Sequence, residues 1–433
     1  VVAYRAGVPL RAGNFLADVI RVAAALPDRR HVLNACQDRY RFTVAFAASL
    51  VANKISLLPS THTPEVIRQL TEFAPDAFCL TDDPRCQIDL PRVRFPELVP
   101  GERAPWQPLE IEQDQLAAYV FTSGSTGTPL PYKKTWGRLV NCVRFEAQRL
   151  GLLDGRSHAL VGTVPPQHMY GFESTVLVAL QSANAFSAGK PFYPADVCSE
   201  LASVPEPRLL VSTPVHLRTL LGTDAELPAT ELVLSATAPL SQNLAREVEE
   251  RYGTRLLEIY GSTETGQIAS RRTAETVEWQ LFDAVRLFAE GEDTWAEGGH
   301  IEQRTAMCDV LEITGEDRFL LHGRLSDLVN IAGKRSSLSY LNHQLNAIPG
   351  VVDGAFFVRE PEEGSSTGVT RVAAVVVAPQ LSVAELNEQL RRRIDAVFMP
   401  RPLLFVDALP RNDTGKLPHD SLRALAATAM KRT

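Results

Sequence analysis

Short apolar runs that end in Gly, Ser, Thr or Pro recur along this chain, and stretches with helical spacing separate them. Residues 15–28, FLADVIRVAAALPD, have the period of an amphipathic helix closed by Pro27. RHVLNAC then reads as a buried strand, RFTVAFAASLVANK as a helix, KISLLPS as a strand, and PEVIRQLTEFAPDAFCLTDD as helix, turn and strand. The pattern resumes in HALVGTVP, PRLLVSTP, ELVLSATAP and RLLEIYGSTE. Parallel strands need long crossovers, and strands covered on both faces lose their polar alternation. The expected class is therefore α/β, with mixed, mostly parallel sheets flanked by helices. Ligands of such sheets gather beyond the carboxyl ends of the strands. Those four strand ends are expected to wall one cleft.

The chain has 433 residues, more than one ordinary core, so two domains are expected. The pattern changes near residue 323. DGAFFVRE and TRVAAVVVAP alternate like sheet strands, SVAELNEQLRRRIDAVF reads as one helix, and REPEEGSSTGVT (359–370) reads as an exposed turn. The boundary is placed near Ser326, giving a domain over 1–325 and a small α+β domain over 326–433. The net charge of −7 argues against nucleic acid as the main partner. No run of eighteen apolar residues occurs, and the N-terminal VVAYRAGVPLRAG is no secretory leader, though it begins with Val. Six cysteines without a C-x-x-C pair read as scattered buried thiols of a cytoplasmic protein.

Directly after the apolar run LAAYV comes FTSGSTGTPL, residues 121–130. Its glycines let successive N–H groups face one point, and its hydroxyls add donors, which suits a polyphosphate. The common NTPase loop is excluded, because Gly127 is followed by Thr128 and Gly333-Lys334 has Leu at 328. A dinucleotide fingerprint is excluded by the glycine spacing and by the lack of an immediate helix. A second segment, EIYGSTETGQIASR (258–271), sets Glu264 among hydroxyls at a strand end, a carboxylate suited to Mg²⁺ beside phosphates. Two more segments are FLLHGRLSDLVNIAGKR (319–335) and LPRNDTGKLP (409–418), the latter holding Lys416 after a Thr-Gly turn. Each alone has an ordinary reading as solvated loop.

Taken in order, the four segments resemble the adenylate-forming ligases: acyl-CoA synthetases, peptide-synthetase adenylation domains and firefly-type luciferases. The resemblance runs from about residue 30 to about residue 425. It implies a large N-terminal α/β domain, a small mobile C-terminal domain, and ATP and Mg²⁺ as cofactors. Thr122, Ser123, Gly124, Ser125, Thr126, Gly127 and Thr128 would wrap the β- and γ-phosphates. Tyr260 and Gly261 would pack against adenine, with Ser235, Ala236 and Thr237 opposite. Glu264 would bind Mg²⁺, with Ser262 and Thr263 beside the phosphates. Asp309 and Arg324 would hold the ribose, and Lys416 would reach the α-phosphate and the substrate carboxylate. His168, Ala236 and Gly261 would border the acid. Ser326 would be the hinge.

The chain departs from the family in several places. Leu130 stands where a lysine is usual, with Lys133 or Lys134 as replacements. Ser326 stands at a hinge usually Asp or Lys, MCD (307–309) replaces Thr-Gly-Asp, and the span from Asp309 to Arg324 is short. FTSGSTGTPLPYKKTWGRLV and VNIAGKRSSL look like ligases of aryl-polyene and xanthomonadin-type pigment clusters. That branch implies activation of an aryl acid such as 4-hydroxybenzoate and loading onto an acyl carrier protein. The arginines of LRRRIDAVFMPR (390–401) would steer an acidic carrier or the phosphates of CoA. An aryl- or acyl-CoA ligase is the alternative, and an inactive module that recruits a carrier protein is a third reading.

Overall fold

A computed structural model describes residues 1–59, 61–105, 109–122, 130–291, 293–324, 328–331, 334–359, 371–412 and 417–430. Ser326 and nearly all of the 359–370 segment lie outside them.

Among the described residues the largest sheet has eleven strands. Its middle is parallel: Ala185–Ser187, Ala159–Gly162, Arg208–Ser212, Leu232–Ser235 and Arg255–Ser262 follow one another in space. The order then turns antiparallel through Gly266–Arg271, Trp279–Leu281, Arg318–Arg324 and Asp309–Ile313. The parallel strands read as unbroken apolar runs because both faces are covered. Leu209, Leu210, Val211, Leu232, Val233 and Leu234 are all buried, on opposite faces in two separate clusters. Burying each such side chain fully is worth about 1.5–3 kcal/mol.

A second sheet has six strands, ordered Arg92–Arg94, Phe78–Thr81, His31–Asn34, Ile55–Leu58, Leu116–Thr122, Leu130–Thr135. All its pairings are parallel except the last. Thr122 pairs with Leu130, so the segment 123–129 joins the two strands of a hairpin, and its own residues lie outside the described set. The helix Trp136–Leu150 follows at once, capped by Thr135 and ended by Gly151 at φ 76°. Val285–Glu290, Asp293–Gly298 and Ile301–Ala306 form a small antiparallel sheet.

Beyond residue 327 the chain builds a core of its own. Leu341, Leu345, Phe356, Val376, Leu386 and Leu390 pack together, apart from the cores of the large sheets. Its sheet pairs Asp353–Arg359 antiparallel with Arg371–Val377, and the latter parallel with Leu403–Phe405. This is the mixed α/β architecture expected, with the small α+β unit following.

Two expectations need correction. The helix read over SVAELNEQLRRRIDAVF spans only Val383–Arg391, and Ala396–Phe398 is a separate 3₁₀ turn. Asp395 starts that turn, its carboxylate taking the Val397 N–H at 3.1 Å. Among the cysteines, only Cys36, Cys79 and Cys142 are buried; Cys86 and Cys198 are half-buried, and Cys308 is exposed. No helix among the described residues is long and apolar enough to cross a membrane.

Candidate active site

The strand Arg255–Ser262 carries the site's densest run of functional side chains. It meets Gly266–Arg271 in a tight hairpin with a register shift between Tyr260 and Gly261. A Cβ at Gly261 would lie 2.4 Å from the Gly266 carbonyl oxygen, so only glycine fits there. Within the turn, Thr265 N–H donates to Ser262 Oγ at 3.1 Å and Ser262 N–H donates to Thr265 Oγ1 at 3.3 Å. Thr263 and Glu264 sit at its apex, both half-buried.

Tyr260 is buried, and its hydroxyl donates to Asp309 Oδ2 at 2.5 Å. Asp309 in turn stands opposite Arg324 across an antiparallel pair. The two residues expected at the ribose are thus neighbours, although the side chain of Arg324 lies outside the described set. The short span between them is a hairpin: Asp309–Ile313 turns directly into Arg318–Arg324.

On the other side, the end of Leu232–Ser235 leads into Ala236 and Thr237. Thr237 has φ 78°, a left-handed conformation rare for a branched residue. Ser235 Oγ is buried without a partner among the described residues. His168 follows Ala159–Gly162 and starts the short helix Met169–Gly171, its Nδ1 accepting from Tyr170 N–H at 3.3 Å.

The two lysines proposed as substitutes at the phosphate loop part company. Lys133 is exposed, and Lys134 is only 1% exposed. Lys134 Nζ donates to the Thr263 carbonyl at 2.5 Å, and Arg138 donates to the Glu264 carbonyl. Burial, with Arg138 beside it, pulls the Lys134 ammonium down to about 8, against the attraction of Glu173, Cys142 and Glu264. Behind it lies a polar cluster that the sequence did not announce. Glu146 and Glu173 are buried, and desolvation raises both carboxyls, Glu146 far above its usual range. The Gln267 amide faces Glu146 at 2.9 and 3.0 Å and accepts from Ser174 Oγ at 2.9 Å. His300 is buried nearby and held down to about 3 by burial and by the two cations.

Ser123, Gly124, Ser125, Thr126, Gly127, Thr128 and Lys416 lie outside the described residues, as does the side chain of Thr122. Their flanks are described. Leu417 lines a cavity of about 150 Å³ together with Ala238, Pro239, His343 and Arg411. Leu417 thus stands beside the loop that follows Ser235. A larger concavity, about 900 Å³, opens at the amino ends of His31–Asn34 and Ile55–Leu58, the wrong ends of the strands for this chemistry.

No group of three or more His, Cys, Asp or Glu among the described residues could cage a metal. One carboxylate among hydroxyls does fit Mg²⁺, which binds through one or two carboxylates, waters and substrate phosphates.

Against known proteins, residues 14–286 match the AMP-binding enzyme family, and residues 343–416 match the AMP-binding enzyme C-terminal domain. The chain belongs to the AMP-binding enzyme family. It is an adenylate-forming enzyme, an AMP-forming ligase that uses ATP with Mg²⁺. Among curated relatives, a 4-coumarate–CoA ligase of Rhodobacter capsulatus is 29% identical over 309 residues, covering 70% of this chain and 76% of that protein. A 3-hydroxybenzoate–CoA/4-hydroxybenzoate–CoA ligase of Thauera aromatica is 24% identical over 375 residues, covering 76% and 70%. Among solved structures, ATP-bound MatB from Rhodopseudomonas palustris superposes with a TM-score of 0.82 at 19% identity, covering 98% of this chain and 95% of that one. That likeness is one of fold.

Proposed function

We propose that this enzyme activates an aryl acid, such as a hydroxylated benzoate, as its acyl-adenylate and passes the acyl group to a thiol. The carboxylate attacks the α-phosphorus of ATP and pyrophosphate leaves. The thiol then attacks the acyl carbonyl and AMP leaves. The observation that carries the first half is the meeting of Tyr260, Asp309 and the Thr263–Glu264 turn at the carboxyl edge of the large sheet. The names of the curated relatives support an aryl acid and CoA.

In this reading Tyr260 and the loop Ser235–Thr237 flank adenine, and Asp309 with Arg324 holds the ribose hydroxyls. Glu264 would hold Mg²⁺, which supplies charge against the phosphate oxygens. Thr122 to Thr128 would cradle the β- and γ-phosphates, and His168, Ala236 and Gly261 would border the acid. The domains would meet at Ser326, leaving 1–325 to bind ATP and acid while 326–433 brings Lys416. Such a reaction is promoted by placement and charge more than by covalent help. The test is acid-dependent pyrophosphate release over a panel of benzoates, cinnamates and aliphatic acids, followed by supply of CoA or of holo-carrier protein to the preformed adenylate. Release with aliphatic acids alone would sink the aryl reading.

A carrier protein as acceptor is supported by Arg391, Arg392 and Arg401, all exposed, with Arg393 half-buried between them. Arg392 already pairs with Glu388 at 2.5 Å. Arg391→Glu with Arg393→Glu is expected to slow carrier loading by about tenfold at low salt, with the difference fading as salt screens it. Loading at an unchanged rate would leave CoA as the acceptor to retain.

A further inference from the structure

We propose that Lys134 and Arg138 are positioning residues that set the backbone of Glu264, and so the direction in which its carboxylate is presented. The inference rests on the reading of Glu264 as the Mg²⁺ ligand.

The argument is one of peptide planes. The Thr263 carbonyl belongs to the plane that precedes the Glu264 Cα, and the Glu264 carbonyl belongs to the plane that follows it. Lys134 Nζ holds the first at 2.5 Å and the Arg138 guanidinium holds the second. Each plane is rigid, so φ and ψ at Glu264 are the freedoms left, and a donor on each plane restrains both. The turn's own bonds, between Ser262 and Thr265, fix its ends and leave these two carbonyls to be taken from outside.

The donors arrive from the strand Leu130–Thr135 and the helix Trp136–Leu150, whose start Thr135 caps. The strand Leu130–Thr135 and the Glu264 turn belong to different sheets, and these side chains tie them together. Bonds from charged donors are roughly twice as strong as neutral ones. That strength matters here, because an ammonium only 1% exposed is costly to bury. A solvated lysine elsewhere on the strand would carry no such cost. Lys134 thus differs from the family's usual loop lysine: it grips the protein's own backbone.

The test is calorimetric titration of ATP with Mg²⁺ and with the metal chelated away. The ratio of the two dissociation constants measures how strongly metal and nucleotide support each other. Glu264→Gln is expected to lower that ratio about tenfold, and Lys134→Met to lower it by a similar factor, with metal-free ATP affinity within about threefold of wild type. Arg138→Gln, at a half-buried residue, is expected to lower it about threefold. Because both cations act through Glu264, adding either change to Glu264→Gln is expected to cost nothing further.

Ratios within twofold of wild type for Lys134→Met and Arg138→Gln, beside a lowered ratio for Glu264→Gln, overturn the inference alone. So do losses that multiply in the double variants. A Glu264→Gln variant with an unchanged ratio overturns the metal reading, and the positioning role falls with it. Should Lys134→Met fail to fold, Arg138→Gln and its double variant decide the matter by the same criteria.

Discussion

Lys416→Ala is expected to lower acid-dependent pyrophosphate release by on the order of 10²-fold or more, from ~3 kcal/mol of lost transition-state stabilisation. The attack of a carboxylate on a triphosphate brings two anions together, and negative charge gathers on the oxygens around the α-phosphorus. A full positive charge held there in a closed cleft acts where that charge develops. The large domain offers no evident substitute among its described residues, because the ammonium of Lys134 is spent on the Thr263 carbonyl and Lys133 is exposed. Leu417, the next residue in the chain, lines the cavity beside Ala238 and Pro239. The thiol step is expected to depend far less on this residue, since the proposed turn of the small domain would carry the lysine away. Supplying the preformed adenylate isolates that step. Pyrophosphate release at the wild-type rate in Lys416→Ala would refute the role.

The legible part of this protein is the part that depends on local pattern. HALVGTVP, PRLLVSTP, ELVLSATAP and RLLEIYGSTE each became a strand of the large sheet, because an apolar run of that length bounded by small residues has few other uses. The hairpin from Asp309 to Arg324 explains why that span is short: two antiparallel strands need only a tight turn. Less legible was the break after Arg391, beyond which Asp395 caps a separate short turn. Least legible were the buried charges. Whether a lysine is solvated depends on what the rest of the chain lays over it. Some signal was present, since consecutive residues of a strand face opposite sides and Lys133 and Lys134 could not both meet solvent on a covered sheet. Glu146 likewise falls on the stripe of Leu139, Cys142, Val143 and Leu150, which is the buried face of its helix. A carboxyl on an apolar stripe asks for a partner, and here one comes from Gln267, more than a hundred positions away.

The same reasoning makes Arg39 the residue whose loss should damage the fold most. Its guanidinium is 1% exposed and donates to four carbonyls: Ser187 at 3.1 Å, Gly189 at 2.6 Å, Gly162 at 2.8 Å and Val164 at 3.0 Å. Those oxygens belong to the carboxyl ends of two neighbouring strands, and one of the two segments runs on to His168. Burial lowers the guanidinium to about 10, while Glu200 and Asp38 draw it upward, so it stays charged at neutral pH. Arg39→Met fills much of the volume but leaves buried acceptors without donors. The expected loss is roughly 2–4 kcal/mol, offset in part by the desolvation cost that the arginine no longer bears. That should appear as a fall in Tm of roughly 2–5 °C. Arg39→Lys should not rescue it, because a single ammonium cannot span carbonyls on both strand ends as a planar fork does. Released from the clamp, the segment 163–168 would let His168 drift, so the acid KM should rise more than the ATP KM. An unchanged Tm in Arg39→Met would mean that water satisfies those carbonyls as well as the arginine does. Equal rises in the two KM values would mean that the clamp serves the whole domain and not the edge of the acid site.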